Sequence, residues 1–408
     1  MRILLLTDSY PPEIRSTSLL MYEFAQGLSK RNYQVSVVTT QPRYNLAQGV
    51  NLKYNLITNE EGIRVVRINT LSVHKVGYVK RGLAELILPI LFYRTIKKEI
   101  LEKPNIIVVY SPPLTLGVAG ILAKKHFSSK IILNIQDLFP QNAIDLGILK
   151  NSLIIKFFER LEKYIYKKAD IITVHSEGNK KFLLNKKNQP DYKVKVIYNW
   201  INVSRFKNVS NKTNFRHKLG LNSKFIILFA GVLGPSQGLD TIIDVAEALQ
   251  KENKIHFLFV GDGTEKIKLE NRVKSLSLTN VSFHPFVAKE NYPELLNEVD
   301  VGLVCLSSKN KTPVVPGKLM GYMAAGLPIL AVLNKESDGH NIVKSASCGF
   351  SSLPENKKGI INSILELGHN KELREQFGER GSEFAQNNFS VEVCVGQYEN
   401  IFEQLLKK

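Results

Sequence analysis

One segment of the chain, VVPGKLMGYMAAGLPI at residues 314–329, carries a single cation among small and apolar residues. Pro316 suits the first position of a helix, where its missing N–H costs nothing. Lys318 then lies in the first turn, where unsatisfied N–H donors add about half a positive charge. We expect this helix start to hold a diphosphate and to stabilise it as it leaves. A surface lysine beside an ordinary helix start is the alternative. The residues concerned are Pro316, Gly317 and Leu319, with Lys318 as the catalytic cation.

Two glycine-containing loops follow strand-like segments in the second half of the chain. The first lies in GVLGPSQGLDTII at residues 231–243, and the second in VGDG at residues 260–263. Glycine lets the backbone approach a ligand closely, and a helix that begins near the last glycine of the first loop would point its amide end at that ligand. Such loops are common at strand ends, so the signal is weak alone. The expected ligand contacts are Gly231, Gly234, Gln237, Gly238, Gly261 and Asp262, and Phe286 either lies against a nucleobase edge or fills the core.

The loop after the first strand, DSYPPEIRSTS at residues 8–18, contains no glycine. A dinucleotide-binding domain needs G-x-G-x-x-G at this point, which argues against a dehydrogenase. The loop instead offers Glu13, Arg15 and Ser16 just before a helix. We expect Arg15, Ser16 and the helix amides to face an anion. Helix capping by serine and threonine is the alternative role.

Two polar residues of the first half come directly after apolar, strand-like segments. Asp137 follows one in NIQDLFPQNAIDLG, and Ser111 follows another in YSPPLTLG. The carboxyl ends of parallel strands meet at one edge of a sheet, so we expect both residues in the wall of one site. A carboxylate there can accept a proton from a hydroxyl group. A turn or a helix cap is the alternative role of Asp137.

Strand-like and helix-like segments alternate along all 408 residues, a length that suits two domains rather than one. Near-continuous apolar strands between amphipathic helices indicate parallel, doubly wound sheets, so the fold class is α/β. We predict two Rossmann-like domains, residues 1–205 and 206–387, with a polar linker at 206–223 and a last helix, 388–408, that packs back on the first domain. Ligands are expected in a cleft at the carboxyl ends of the strands. The predicted strands are 2–7, 34–40, 63–68, 105–110, 130–135, 171–174, 194–199, 225–231, 256–261, 281–286, 301–306, 328–333 and 348–352.

The net charge of +18 is concentrated in the first half of the chain. Residues 1–205 hold 31 Lys and Arg against 15 Asp and Glu, a net charge of +16, and residues 206–408 hold 24 against 22, a net charge of +2. A positive charge concentrated on one half of the chain implies an anionic partner for that half. No zinc-finger, RNA-recognition or basic-zipper pattern accompanies it, which favours an anionic membrane surface over nucleic acid. A lysine-rich solvated surface is the alternative. Leu86–Lys103, apolar first and basic afterwards, would lie at the membrane unless it is a buried helix.

The remaining composition favours a cytoplasmic protein. The three cysteines, Cys305, Cys348 and Cys394, are far apart and show no metal-binding or redox spacing. No run approaches the roughly 18 apolar residues of a membrane-spanning helix. The start of the chain, MRILLLTDSYPPE, is typical of a buried strand rather than a signal peptide.

With these residues laid out, the chain resembles a glycosyltransferase of family 4, with the GT-B fold, over nearly its whole length. The resemblance is carried by PPE after the first strand, PNIIVVYSPPLTLG, the DLFP box, KKADIITVHSEG, VKVIYNWIN, GVLGPSQGLDTI, VGDG and VPGKLMGYMAAGLPI. SPPLT together with DLFP and the Gln-Gly-Leu loop is similar to the branch that adds fucose-like or N-acetylfucosamine units in O-antigen, colanic acid and capsule assembly.

The resemblance implies transfer of a sugar from a nucleotide diphosphate donor, here expected to be UDP-linked, without a metal or another cofactor. The implied acceptor is a polyprenyl-diphosphate-linked oligosaccharide at the inner face of the cell membrane, which would account for the basic first half. In these roles Lys318 stabilises the leaving charge and Asp137 orients or deprotonates the acceptor hydroxyl. Glu13 and Ser111 are expected to bind the acceptor.

The chain departs from the family pattern at several positions. Most members carry two glutamates around and within the helix described first, where this chain has Pro313 and Gly321. The family's Arg and Lys after the first strand of the second domain read Val232 and Gln237, and its histidine in the first domain reads Gln136. Two other functions therefore stay open. One is a nucleotide-sugar 2-epimerase of the same fold, and the other is a non-catalytic GT-B subunit that only binds sugar or a partner enzyme.

Overall fold

A computed structural model of the chain describes residues 1–43, 46, 55–71, 78–207, 209 and 214–407. The chain divides into two compact units. The first comprises Met1–Trp200 with Val391–Lys408, and the second comprises Ile201–Ser390. Each unit has its own largely parallel sheet, so the predicted α/β class is confirmed.

The first unit is built around a mostly parallel sheet. Its strands are β1 (Arg2–Leu6), β2 (Gln34–Thr40), β3 (Ile57–Glu60), β4 (Ile63–Ile68), β5 (Ile106–Ser111), β6 (Lys130–Ile135), β7 (Ile171–Val174) and β8 (Val194–Val196). They lie in the order β3-β4-β2-β1-β5-β6-β7-β8, and within the described residues only β3 pairs in the antiparallel sense. The strand β3 was not predicted, because its four residues ITNE contain no apolar run.

Helices cover both faces of this sheet. They are α1 (Ser16–Ser29), α2 (Tyr78–Glu99), α3 (Leu116–Phe127), α4 (Gln141–Asp145), α5 (Ser152–Lys168) and α6 (Glu177–Lys187). Successive side chains of a strand point to opposite faces. Leu4 and Leu6 of β1 accordingly enter one core, with α2, α3 and α5, whereas Ile3 and Leu5 enter another core with α1. Because both faces are buried, the strands show near-continuous apolar runs.

The second unit repeats this plan with a fully parallel sheet. Its strands are β9 (Phe225–Ala230), β10 (Ile255–Val260), β11 (Val281–His284), β12 (Val301–Cys305), β13 (Ile329–Val332) and β14 (Gly349–Ser352). Their order is β11-β10-β9-β12-β13-β14. Its helices are α7 (Phe215–Lys218), α8 (Asp240–Ala248), α9 (Lys266–Ser275), α10 (Tyr292–Asn297), α11 (Lys318–Ala324), α12 (Gly339–Ala346), α13 (Lys357–His369) and α14 (Lys371–Asn388).

The last helix, α15 (Val391–Leu406), belongs to the first unit. Its Tyr398 is fully buried, and the hydroxyl of Tyr398 accepts a hydrogen bond from Asn134 Nδ2 at 2.8 Å. The Tyr398 ring also lies 4.6 Å from the ring of Phe24 on α1, centre to centre. The end of the chain therefore completes the core that its first strands begin.

The polar stretch at 206–223 differs from the free linker that its composition suggests. Residues 208 and 210–213 lie outside the described residues, but the part from 214 onward includes α7 and is fixed to the second unit. Arg216 of α7 forms an ion pair with Asp300 at 2.6 Å. Its backbone N–H also donates to Glu298 at 2.8 Å.

The segment Leu86–Lys103, which was expected either at a membrane or in the core, lies mostly in α2, which has a buried and an exposed face. One face of α2 is buried, through Ala84, Leu88, Phe92 and Ile96. The opposite face exposes Leu83, Leu86, Ile87 and Ile90. Among the described residues, no helix combines the length and the hydropathy needed to cross a membrane.

Candidate functional site

Lys318 is the first residue of α11, and its ammonium group lies against the end of β9. Its Nζ atom donates to Gln237 Oε1 at 2.9 Å and lies 4.6 Å from the centre of the Phe229 ring. The aliphatic part of the lysine passes over Gly231, where a Cβ atom would stand 2.5 Å from Lys318 Cε. Burial lowers the pKa of Lys318 to about 8. A partly desolvated cation of this kind gains more stabilisation of its charged form from an incoming anion than a fully solvated surface lysine does.

Tyr322, one turn later, fixes α11 in this position. Its hydroxyl accepts a hydrogen bond from the backbone N–H of Ala230 at 2.8 Å, at the last residue of β9. Its ring covers Gly302 of β12, where a Cβ atom would stand 2.5 Å from the ring. The absence of a side chain at Gly302 thus lets α11 approach the sheet closely enough for Lys318 to reach Gln237.

The start of α11 differs from the prediction. The helix begins at Lys318, so Pro316 lies two residues before it and is buried, while Gly317 precedes the helix and is exposed. The backbone N–H of Leu319, a buried residue, donates to the Pro316 carbonyl at 3.0 Å, which forms a turn ahead of the helix. The helix has only seven residues, so its dipole is small and most of the positive charge belongs to the Lys318 side chain.

The glycine loops pack directly against each other at the carboxyl ends of β9 and β10. Gly231 and Gly261 have φ values of 145° and 151°, which residues with side chains rarely adopt. A Cβ atom on Gly261 would clash with the carbonyl oxygen of Gly231. Gly234 differs, because its backbone is extended and the space around it is open. Asp262 is exposed; its carboxylate accepts from the N–H of Gly263 at 2.8 Å, and its carbonyl accepts from Leu233 N–H at 2.9 Å.

The loop that carries Gln237 is held by residues that the sequence analysis did not single out. It forms a 3-10 turn, Pro235–Gln237, and the helix α8 begins only at Asp240. Ser307 N–H donates to the Ser236 carbonyl at 2.9 Å, and Asn310 Nδ2 donates to the same oxygen at 3.0 Å. Gly238 has a φ of 64°, and a Cβ atom on it would stand 2.8 Å from the Cα atom of Ser307. The absence of a side chain at Gly238 therefore lets Ser307 lie close to the loop. The polar run SSKN, which begins two residues after the end of β12, was the signal for this contact.

Phe286 lies two residues beyond β11, and 54% of it is exposed. The interpretation that it fills the core is therefore wrong. An aromatic ring exposed near a strand end has a free face on which a planar ligand can lie.

In the first unit, Arg15 lies among carboxylates rather than facing a free anion site. Its Nη1 atom is 3.1 Å from Asp8 Oδ2 and 3.8 Å from Glu13 Oε2. Glu13 is buried and accepts hydrogen bonds from Ser9 Oγ at 2.6 Å and from the N–H of Arg43 at 2.9 Å. Its expected contact with an acceptor is therefore not a direct one in this arrangement. The capping role proposed for Ser16 is wrong, because Ser16 is the first residue of α1 and Arg15 occupies the cap position, where its side chain makes no capping hydrogen bond.

Asp8 is a further residue of this group that the sequence analysis missed. Burial raises the pKa of its carboxyl group, and the Arg15 guanidinium partly offsets that effect. Tyr110 lies close by and accepts a hydrogen bond from Thr17 Oγ1 at 3.1 Å. Burial raises the pKa of Tyr110, and the charges of Asp137 and Asp8 raise it further. Asp8 follows β1 as directly as Asp137 follows β6. The argument that selected Asp137, a polar residue at the carboxyl end of an apolar strand, therefore selects Asp8 as well.

Asp137 and Ser111 occupy different environments. Asp137 is exposed, and its carbonyl accepts from Phe139 N–H at 2.9 Å in a tight turn. Ser111 is 3% exposed, and its carbonyl accepts from the N–H of Gln136 at 2.8 Å. Ser111 therefore supports the wall beside Asp137 without presenting its own side chain to a ligand. Within the part of the chain that the structure describes, no group of three or more His, Cys, Asp and Glu is placed to hold a metal ion.

Family comparisons match both halves of the chain. The family model described as glycosyltransferase family 4 matches residues 18–205, which include Asp137. The model described as glycosyl transferases group 1 matches residues 211–384, which include Lys318 and both glycine loops. The chain belongs to glycosyltransferase family 4. It is thus a transferase, as the resemblance implied.

Individual relatives support this assignment at modest identity. The chain is similar to the putative colanic acid biosynthesis glycosyl transferase WcaI of Escherichia coli, with 27% identity over 80% of this chain and 82% of the relative. It is also similar to the probable glycosyltransferase WbjE of Pseudomonas aeruginosa, with 27% identity over 71% of this chain and 72% of the relative. This family 4 glycosyltransferase is therefore related to enzymes of polysaccharide biosynthesis.

Solved structures share the fold over the whole chain. Sucrose-phosphate synthase from Thermosynechococcus elongatus matches with a TM-score of 0.78 and 15% identity over 100% of this chain and 99% of the other. Anabaena HepE in complex with UDP-glucose matches with a TM-score of 0.73 and 18% identity over 99% of this chain and 100% of the other. At these identities the likeness concerns the fold, and the predicted GT-B fold is confirmed.

Proposed function

We propose that this family 4 glycosyltransferase moves a sugar from a UDP-linked donor to a polyprenyl-diphosphate-linked oligosaccharide during assembly of a bacterial surface polysaccharide. The sugar we propose is a fucose-like or an N-acetylamino sugar. The relationship to WcaI, whose name assigns it to colanic acid biosynthesis, supports the polysaccharide context. The UDP-glucose complex of HepE supports a UDP-linked donor in a protein of this fold.

The observation that carries the proposal is the geometry of Lys318. Its ammonium group lies at the carboxyl end of β9, where the lysine chain passes over Gly231, and it donates a hydrogen bond to a neutral amide, that of Gln237. An oxygen of the donor diphosphate can take the place of Gln237 Oε1 on that cation. When the bond between the sugar carbon and the diphosphate oxygen breaks, the electron pair stays on the diphosphate, and Lys318 stabilises the added charge.

The acceptor side of the proposal assigns the proton to Asp137. As the acceptor oxygen bonds to the sugar carbon, its hydroxyl proton must leave, and an exposed carboxylate can take it. The group of Asp8, Glu13 and Arg15, of which only Glu13 is fully buried, would hold the loop before α1 in place rather than act on substrate. The exposed Phe286 would lie against the nucleobase, and Gly234, Gln237 and Gly238 would line the diphosphate.

We further propose that the protein works at the inner face of the cell membrane, bound peripherally to anionic lipid. The charge of +16 on residues 1–205 supports this location. The exposed face of α2 supports it too, since Leu86, Ile87 and Ile90 are followed by Arg94 and Lys97 on that face. Apolar side chains beside cations are typical of segments that lie at a bilayer surface.

The proposal is tested by comparing Lys318→Ala with Lys344→Ala, an exposed lysine on α12, using candidate UDP-sugars and a lipid-linked acceptor. Lys318→Ala should lower turnover by roughly 100-fold or more, and the control should stay near wild type. We expect no loss of turnover in EDTA, because the proposed chemistry needs no metal. Near-normal turnover of Lys318→Ala would remove its assigned role.

The same assay separates the two other functions. Release of UDP only in the presence of acceptor supports transfer. Exchange at the C2 position of the donor sugar without any acceptor would indicate the epimerase. Donor binding without either reaction, together with tight binding of a partner enzyme, would indicate the non-catalytic subunit.

A further inference from the structure

The helix α5 exposes large apolar side chains near its amino-terminal end. Leu153 is 75% exposed, Phe157 is 47% exposed, and Ile154 between them is exposed to a similar extent. Ile148, just before the helix, is exposed as well. Side chains of this size are usually covered when they lie so close together, so this end of α5 is an apolar patch at the surface of the first unit.

A row of cations runs along the same side of α5. It continues past the apolar patch to the end of the helix and consists of Lys156, Arg160, Lys163 and Lys167, all exposed. These positions recur at intervals of three and four residues, which places them in one line on a helix. Leu153 and Phe157 lie beside that line by the same spacing.

The opposite side of α5 is turned into the protein. Ile165 and Tyr166 enter the core of the first unit, and Glu162 is buried and paired with Lys187 at 2.8 Å. The helix has two acidic residues, of which Glu162 faces inward and Glu159 is exposed. The exposed side therefore combines apolar groups with the four cations of the row and the single carboxylate of Glu159, an excess of positive charge.

The exposed sides of α5 and α2 belong to the same layer of helices. Both helices pack on the core that contains Leu4 and Leu6 of β1, and α3 packs between them against α2 and α5. The exposed side of α2 repeats the composition of α5, with Leu83, Leu86, Ile87 and Ile90 followed by Arg94, Lys97 and Lys98. One side of the first unit thus presents two helices of matching character.

We infer that α5 is a membrane-docking helix, which lies in the headgroup layer of an anionic bilayer with Leu153, Ile154 and Phe157 inserted. Its cation row would then bind lipid phosphates. This inference rests on the membrane location given in the proposed function and adds the helix that makes the contact. An anionic bilayer fits better than an acidic protein, since a fluid headgroup layer accepts apolar and cationic groups side by side without shaped pockets.

The apolar part is tested by co-sedimentation of the full chain with vesicles of phosphatidylglycerol and phosphatidylcholine. Leu153→Ser combined with Phe157→Ser should lower the partition coefficient by roughly tenfold or more. The matched control is Ile267→Ser, which changes an exposed apolar residue of α9 in the second unit and should bind like wild type. Equal binding of the α5 variant and wild type would overturn the inference.

The charged part is tested with two variants of equal net charge. Lys156→Glu with Lys163→Glu should weaken binding to anionic vesicles far more than Lys251→Glu with Lys254→Glu, an exposed pair in the second unit. Roughly fivefold is expected for each cation lost from the membrane surface. Equal losses in the two variants would mean that net charge acts without α5. Binding to an acidic protein but not to vesicles would also contradict the inference.

A water-soluble acceptor separates this inference from the proposed function. The α5 variants should keep wild-type turnover on such an acceptor, because α5 carries none of the residues assigned to the reaction. If vesicle binding depends on α5 but no sugar is transferred, the proposed function fails and the docking helix stands. If transfer occurs and vesicle binding ignores α5, the docking helix fails alone.

Discussion

The pKa of about 8 at Lys318 predicts how donor binding depends on pH. The free protein holds this lysine as a cation below that value and as a neutral amine above it, whereas a bound diphosphate favours the cation. Binding should therefore take up a proton above about pH 8, and the dissociation constant should rise by up to roughly tenfold per pH unit there. Titration calorimetry with a UDP-sugar from about pH 6.5 to about pH 9 measures this change.

Lys318→Arg provides the control for this pH dependence. Arginine keeps its charge throughout this range, so the variant should bind with nearly constant affinity. A wild-type affinity that stays flat across about pH 8 would contradict the assignment of the cation to the diphosphate.

A second prediction at the residue scale concerns the glycine loops. Gly261→Ala forces a side chain into a left-handed backbone and against the carbonyl of Gly231, so it should cost at least about 2 kcal/mol of stability. Gly234→Ala meets open space and an extended backbone, so it should change stability by less than about 0.5 kcal/mol. Urea unfolding of both variants gives the free energies to compare. An equal loss of stability in the two variants would mean that the close packing of Gly261 against Gly231 does not hold the loops in place.

At the scale of elements, the hydroxyl of Tyr322 connects α11 to β9. Tyr322→Phe leaves the buried N–H of Ala230 without its partner, which should cost about 1–3 kcal/mol. Because α11 carries Lys318, donor affinity should fall as well. The control is Tyr192→Phe, since Tyr192 is largely exposed and its hydroxyl can bond to water. Thermal unfolding and donor titration of both variants measure the effects, and an unchanged donor affinity in Tyr322→Phe would show that α11 is held by its other contacts.

Most of the elements, and the strand ends that carry the site, were predictable from the sequence. Apolar runs such as FIILFA give β9 directly, because strands buried on both faces need no polar alternation. The short edge strand β3 has no such run and was therefore not predicted. The start of α11 was misplaced because a turn precedes the helix, and a proline at position 316 is compatible both with that turn and with a helix start. Boundaries of this kind are set by local hydrogen bonds rather than by periodicity.

The partners of the site residues were less predictable. The contact of Lys318 with Gln237 joins positions 81 residues apart, and nothing in either segment specifies the other. The pairing of Arg15 with Asp8 is local, but a cation beside serines suggests an anion site as long as its pairing with the carboxylate of Asp8 is not known. Such contacts follow from the way the strands are ordered in the sheet, which residue types alone do not give.

At the scale of the whole molecule, the chain enters the second unit at Ile201 and leaves it at Ser390. The two ends of that unit meet, since the N–H of Ile201 donates to the carbonyl of Phe389 at 2.8 Å. A unit with its own sheet, its own core and adjoining ends has what it needs to fold alone. Lys318, Gln237 and Phe286 all belong to it.

We therefore predict that a fragment of residues 201–390 folds cooperatively and binds the UDP-sugar within roughly tenfold of the affinity of the full chain, a difference of about 1.4 kcal/mol. The same fragment with Lys318→Ala should lose most of that affinity, which ties the binding to the proposed site. Circular dichroism and calorimetry on the two fragments provide the measurement. A folded fragment with far weaker binding would mean that the first unit supplies a substantial part of the donor contacts.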